Sequence, residues 1–114
     1  MGNLITSQRS YEEEILQRPR KGVVEWRAQV AGFIRTLSIW GSVSLGSNYF
    51  NFRMNGVHKF SGNNRMILTS GGSVEKTGLA FAVSVGDLLQ FDLEKVAQAG
   101  VVAPVYFHVV TEEA

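Results

Sequence analysis

The chain reads as an all-β protein, a sandwich or barrel of about eight short strands preceded by an N-terminal arm. Three observations predict this. Asn55-Gly56 stands between two strand-type runs, Asn48 to Met54 and Val57 to Phe60, and a type I′ hairpin turn needs the positive φ that Asn and Gly tolerate. Apolar residues recur at period two in several segments, among them Phe50, Phe52 and Met54. Gly, Asn and Asp clusters punctuate those segments at regular spacing.

Residues 1–21 form the arm and 22–114 the sandwich domain. Within the arm, Ser10-Tyr-Glu-Glu13 has a capping-box pattern, Glu12 to Glu14 match the positive end of a helix dipole, and Arg18 matches its negative end. Pro19 then disfavours helix at Arg18, so a helix of two turns is expected from about Tyr11 to Gln17. A helix that short is marginal alone and must lie on something. Leu4, Ile5, Tyr11, Ile15 and Leu16 offer apolar contacts and Arg18 and Arg20 offer charge. Two readings stay open: the arm docks on another subunit, or it packs on its own sandwich.

From Gly22 onward, Val24, Trp26, Ala28 and Val30 alternate with Glu25, Arg27 and Gln29. Phe33 to Trp40 is a second strand with apolar groups on both faces, and Gly41 to Ser47 a loop into the hairpin. Arg65 to Thr69 is a short strand, and a polar loop lies between Gly71-Gly72 and Gly78. Leu79 to Val85, Leu89 to Leu93 and Val105 to Val110 alternate again, with Gly86-Asp87 as a turn and Ala97 to Ala103 as a loop. Trp26, Phe50, Phe52, Phe81, Phe91 and Phe107 are expected to share one core between two sheets.

Composition narrows the function classes. At 114 residues the chain is one domain, 45% hydrophobic and only 18% charged. A net charge of +1 gives no field to steer nucleic acid, so no nucleic-acid partner is expected. With Cys at 0, disulfides and thiolate metal sites are excluded. No apolar run approaches the roughly 20 residues needed to span a bilayer as a helix, so no membrane insertion is expected. The first residues lack the apolar core of a signal peptide, Ser7 to Glu14 being polar or charged.

No catalytic constellation is visible, and a non-enzyme without cofactor or metal is expected. His58 and His108 lack a second ligand at useful spacing, and the glycine pairs sit between strands and not at a strand-to-helix step. Trp40, Tyr49, Asn51 and Arg53 form a candidate glycan face, since pyranose rings stack on aromatics and amides bond hydroxyls. A core position for Trp40 is the competing reading. Ala80, Ala82 and Ser84, with Tyr106, His108 and Val110, mark a candidate oligomer interface, with a homotrimer as the expected assembly. Their side chains are small or only half polar where a solvated face carries Lys, Glu or Thr.

Gly32-Phe-Ile, the run Phe50 to Gly56, Ala82-Val-Ser-Val-Gly86-Asp87-Leu-Leu and Pro104-Val-Tyr-Phe-His-Val together resemble a pattern of tailed-bacteriophage structural proteins. The match covers about Gly22 to Thr111. The resemblance implies a jelly-roll-like sandwich and a virion component: an accessory tail, fibre or capsid-decoration subunit, often trimeric, that contacts other virion subunits and in some cases host glycans. It brings no catalytic residues, and Asn55, Gly56, Gly86 and Asp87 match as turn residues only. The chain lacks the coiled coil and shaft repeats of long fibres. A free carbohydrate-binding module is the alternative function.

Overall fold

The computed structural model describes residues 2–13, 16–69, 72–96 and 100–114, with the backbone alone at 42–45, 100, 102 and 103. In chain order the strands are β1 (Leu4–Tyr11), β2 (Arg20–Arg27), β3 (Gly32–Leu45), β4 (Asn48–Met54) and β5 (Val57–His58). After a 3-10 turn at Gly62–Asn64 come β6 (Met66–Leu68), β7 (Ser73–Lys76), β8 (Phe81–Val83), β9 (Leu88–Lys95) and β10 (Gly100–Glu113).

The strands form two five-stranded sheets, all pairs antiparallel. The first runs β1-β10-β3, and β7 and β8 share the far edge of β3. The second runs β2-β9-β4, and β5 and β6 share the far edge of β4. Strands β1 to β4 alternate between the sheets, β9 then enters between β2 and β4, and β10 between β1 and β3. That order is a jelly roll, as expected.

The core lies where the two inner faces meet. Phe50, Phe52, Phe91 and Phe107 are fully buried, Trp26 nearly so, and Phe81 packs against them. Their rings touch in a chain from Trp26 through Phe91 to Phe52 and Phe107, with centroids 4.9–6.1 Å apart, close to the tilted and offset geometries that aromatic pairs prefer. The expected shared core is therefore the observed one. The Asn55-Gly56 turn is also as expected, with φ of 51° and 84°.

The N-terminal helix is absent among the described residues, and this corrects the capping-box reading. Leu4 to Tyr11 is a strand in unbroken register with β10, from Leu4↔Glu112 to Tyr11↔Val105. The Ser10 hydroxyl donates to the Glu12 carboxylate and not to a helix amide. The physical reason is length: two helical turns gain little, whereas eight residues beside β10 gain a full ladder and a partly covered face. Tyr11 and Leu16 are buried in the chain's own core, and Leu16 bridges Val101 through two backbone bonds of 2.8 and 3.0 Å. Arg20 opens β2 and lies over the Tyr11 ring, 5.2 Å from its centroid, while Arg18 is exposed. Ile15 lies outside the described residues. A boundary between residues 21 and 22 thus has no counterpart in the sheets, because β1 belongs to the first one.

Smaller corrections concern strand ends. β3 continues through the expected loop to Leu45, β7 occupies part of the expected polar loop, and only Phe81–Val83 of the Leu79–Val85 run is strand.

Candidate functional site

Two outer sheet faces are available, and their chemistry differs. On the second sheet, Asn51, Arg53, Gln90, Asp92, Glu94 and Glu25 point away from the core, and they bond one another. Arg53 and Asp92 make a two-pronged ion pair, Nε to Oδ2 at 2.6 Å and a terminal nitrogen to Oδ1 at 2.9 Å. Their side chains are only 9% and 3% exposed. Asp92 Oδ1 also accepts the Gly22 amide at 2.7 Å, at the irregular stretch of β2 between Arg20 and Val24. Gly22 there has φ 68°, a conformation that suits glycine. Hydrogen bonding to Asp92 pushes the Arg53 guanidinium up from its ordinary value, against the opposing effect of burial.

Around this pair every polar group has a task. The Asn51 amide donates to the Phe60 carbonyl and to Glu94, and its oxygen accepts the Phe60 amide, so it ties down the segment after β5. Gln90 donates to Glu25, and Arg65 pairs with Glu94 at 3.2 Å. Tyr49 lies between Arg65 and Lys95, each about 5 Å from its ring centroid.

His58, Asp92 and Glu94 place three potential metal ligands within 4.8 Å of one another beside a shallow groove edged by Pro19, Arg20 and Lys21. The carboxylates already accept bonds from Arg53, Gly22, Asn51 and Arg65, so an added cation would face two guanidinium groups. The His58 ring already reaches both carboxylates, with Nε2 3.3 Å from Glu94 and 3.6 Å from Asp92.

These contacts correct the expected glycan face. Tyr49, Asn51 and Arg53 do share the second sheet's outer face, but Asn51 and Arg53 are buried and committed, and the Tyr49 ring is flanked by cations. Trp40 is on the other sheet. It is also not a core residue, being 57% exposed.

The first sheet's outer face is the contrasting surface. Trp40, Ser38 and Thr36 on β3 stand beside Tyr106, His108 and Val110 on β10, and these beside Ser10, Gln8 and Thr6 on β1. None of these nine side chains carries a fixed charge. Trp40 leans against His108 at 5.7 Å between ring centroids, with the planes tilted by 54°. His108 Nε2 lies 2.9 Å from Gln8 Oε1, which makes it the donor, and His108 Nδ1 is buried without a partner among the described residues. Charge enters at Glu75 of β7, which pairs with Ser38 on this same face, and at the margin in the Arg35–Glu112 pair at 2.9 Å next to Phe33.

The expected interface residues divide accordingly. Tyr106, His108 and Val110 are half-buried on this face, and Ala82 joins it through its pairing with Phe33. Ala80 and Ser84 are exposed and flank β8. The alternation of β10 puts its three residues on the outer face, but nothing local placed Trp40 and Gln8 on either side of them.

At one end of the sandwich the two turn motifs meet. Asn55 exchanges bonds with Leu88, its amide donating to the Leu88 carbonyl at 2.9 Å and its Oδ1 accepting the Leu88 amide at 2.8 Å. The Ser84 amide, and after it the Asn55 side chain, hold the Asp87 carboxyl below its ordinary 3.8. Compared with protein-family models, curated protein sequences and solved structures, the chain has no significant match.

Proposed function

We propose that the chain is a non-enzymatic recognition module that binds a neutral saccharide on the outer face of its first sheet. The observation that carries this reading is Trp40. The residue is 57% exposed, propped on one side by His108 and bordered by Tyr106, with the neutral hydrogen-bonding groups of Gln8 and Ser10 one strand further. A pyranose presents an apolar C–H face that stacks on an indole, and a rim of hydroxyls that such groups recognise. Because the nine side chains carry no fixed charge and Glu75 stands beside Ser38, the patch favours neutral sugars over sialylated or sulfated ones.

A non-catalytic role is supported by the single His-carboxylate cluster among the described residues, which is neutralised by arginines. The setting of an accessory virion subunit that contacts host glycans rests on the sequence resemblance. The same face would serve a free carbohydrate-binding module, so the two settings share this site.

The test is a glycan array followed by titration calorimetry with the best binder. Trp40→Ala should weaken binding at least tenfold, about 1.4 kcal/mol, while the melting temperature moves little because the ring is largely in solvent. Absence of any neutral-glycan binding, or equal binding by the variant, would reject the reading.

A further inference from the structure

The first sheet ends in a strand that is unlike the other edges. β5 and β6 have two and three residues, and β7 and β8 four and three. β2 is preceded by Pro19, carries Arg20, Lys21, Glu25 and Arg27, and has a register shift. Short length, charge, proline and irregularity are the devices that keep a sheet edge from pairing with another chain. β1 is the exception: its eight residues, Leu-Ile-Thr-Ser-Gln-Arg-Ser-Tyr, include no proline and a single charge, Arg9, and the register with β10 has no break. Among the described residues nothing pairs with its outer side.

The pattern of its ladder shows which groups are free. The Glu113 amide donates to the Asn3 carbonyl at 2.9 Å. Antiparallel pairs alternate between bonded and non-bonded, so Ile5, Ser7, Arg9 and Tyr11 bond to β10. The amides and carbonyls of Leu4, Thr6, Gln8 and Ser10 then point outward. An independent contact agrees: the Arg9 guanidinium reaches the Gln8 carbonyl at 2.8 Å, on that open side.

We infer that β1 is a homodimer interface, pairing antiparallel with β1 of a second copy across a two-fold axis at Ser7. The strand is complementary to itself in this register. Leu4 then meets Ser10 of the second copy, and Thr6 meets Gln8, so every outward amide and carbonyl of the four residues is bonded. Arg9 stands opposite Ile5 and never opposite its own copy, which avoids like-charge contact. The guanidinium that covers the Gln8 carbonyl in the single chain must turn aside, and one inter-strand bond replaces its contact. The result joins two first sheets into one continuous sheet and sets two Trp40 faces on the same side. Pairing holds whether or not those faces bind sugar; if they do, the dimer is bivalent toward a surface.

The experiment uses the full chain and reads mass by sedimentation velocity at micromolar concentration, with thermal melting as the folding check. Wild type should sediment as a dimer of the 12.6 kDa chain. The variant Thr6→Lys with Gln8→Lys places lysines opposite each other across the interface and should be a folded monomer. Thr6→Lys with Gln8→Glu places opposite charges there and should restore the dimer. As a separate readout, Ser7→Cys, the sole cysteine in its chain, should form a disulfide-linked dimer on mild oxidation. Non-bonded partners across an antiparallel pair lie about 4.5 Å apart at Cα, within disulfide reach. A wild-type monomer or trimer, equal association of the two charge variants, or failure of Ser7→Cys to cross-link would each overturn the inference.

Discussion

Replacing Asp92 with Ala should be among the most damaging single changes to this fold, although the residue points away from the hydrophobic core. The carboxylate is 3% exposed and satisfies Arg53 twice and the Gly22 amide once. Its removal leaves the Arg53 guanidinium buried without its partner, which costs about 3–5 kcal/mol. The stranded Gly22 amide adds roughly 1–3 kcal/mol, and because the effects overlap the total is about 4–6 kcal/mol. Unfolding entropy of about 2.1 cal/mol/K per residue gives roughly 0.24 kcal/mol/K for this length. The melting temperature should therefore fall by about 17–25 °C. Differential scanning calorimetry provides the measurement, and the double variant Arg53→Met with Asp92→Leu provides the control. It removes both charges and should recover most of the loss, leaving chiefly the unpaired amide. If Asp92→Ala melted within a few degrees of wild type, the pair would be solvated and the reasoning wrong. If the double variant were as unstable as the single one, the stranded guanidinium would not be the cause.

Two further outcomes follow from the core and from the turn. Phe52→Ala should cost about 3–5 kcal/mol, since the ring is fully buried against Phe91 and Phe81; a variant with the wild-type urea midpoint would show that the cavity closes. Asp87, held below its ordinary 3.8 by the Ser84 amide and Asn55, binds a proton less readily folded than unfolded. It therefore contributes stability above that value, which is lost as pH falls through the lower folded value. The acid limb of melting temperature against pH, below about pH 4, should be shallower for Asp87→Asn, and parallel limbs would contradict the assignment.

What was legible in the sequence was local. Asn55-Gly56 dictates its turn by backbone conformation alone, and period two in β4, β9 and β10 sorts Phe50, Phe52, Phe91 and Phe107 to the core. What was not legible depends on partners far along the chain. Ser10-Tyr-Glu-Glu13 has consistent helix signals, and they lose to a strand whose partner begins roughly a hundred positions later. Trp40 was ambiguous for a specific reason. The register shift that pairs Val110 with Thr36 and Thr111 with Ile34 makes Arg35 an extra residue. Ile34 then faces the core with Leu37 and Ile39, while Phe33 and Trp40 both face out, so the strand looks apolar on both sides. Period two within Leu89 to Leu93 turns Asp92 outward, as observed, but its burial depends on Gly22 of β2 and His58 of β5, which reach it from either side. The sequence held one clue, in Asn51 and Arg53 on the strand that would lie opposite Gln90, Asp92 and Glu94.

The placement of β10 between β1 and β3 has a consequence for synthesis on the ribosome. β1 emerges before the other strands of the sandwich, and its ladder runs to residues 105–112, so it waits unpaired until those residues are made. β3 shares its long edge with the same late strand and can meanwhile pair only with short β7 and β8. The second sheet is available earlier, since β4 and β9 come from residues 48–95. A nascent chain halted after β9 should therefore present a half-built sandwich whose open apolar side is a target for chaperones, and the last strand would act as the closing step of folding.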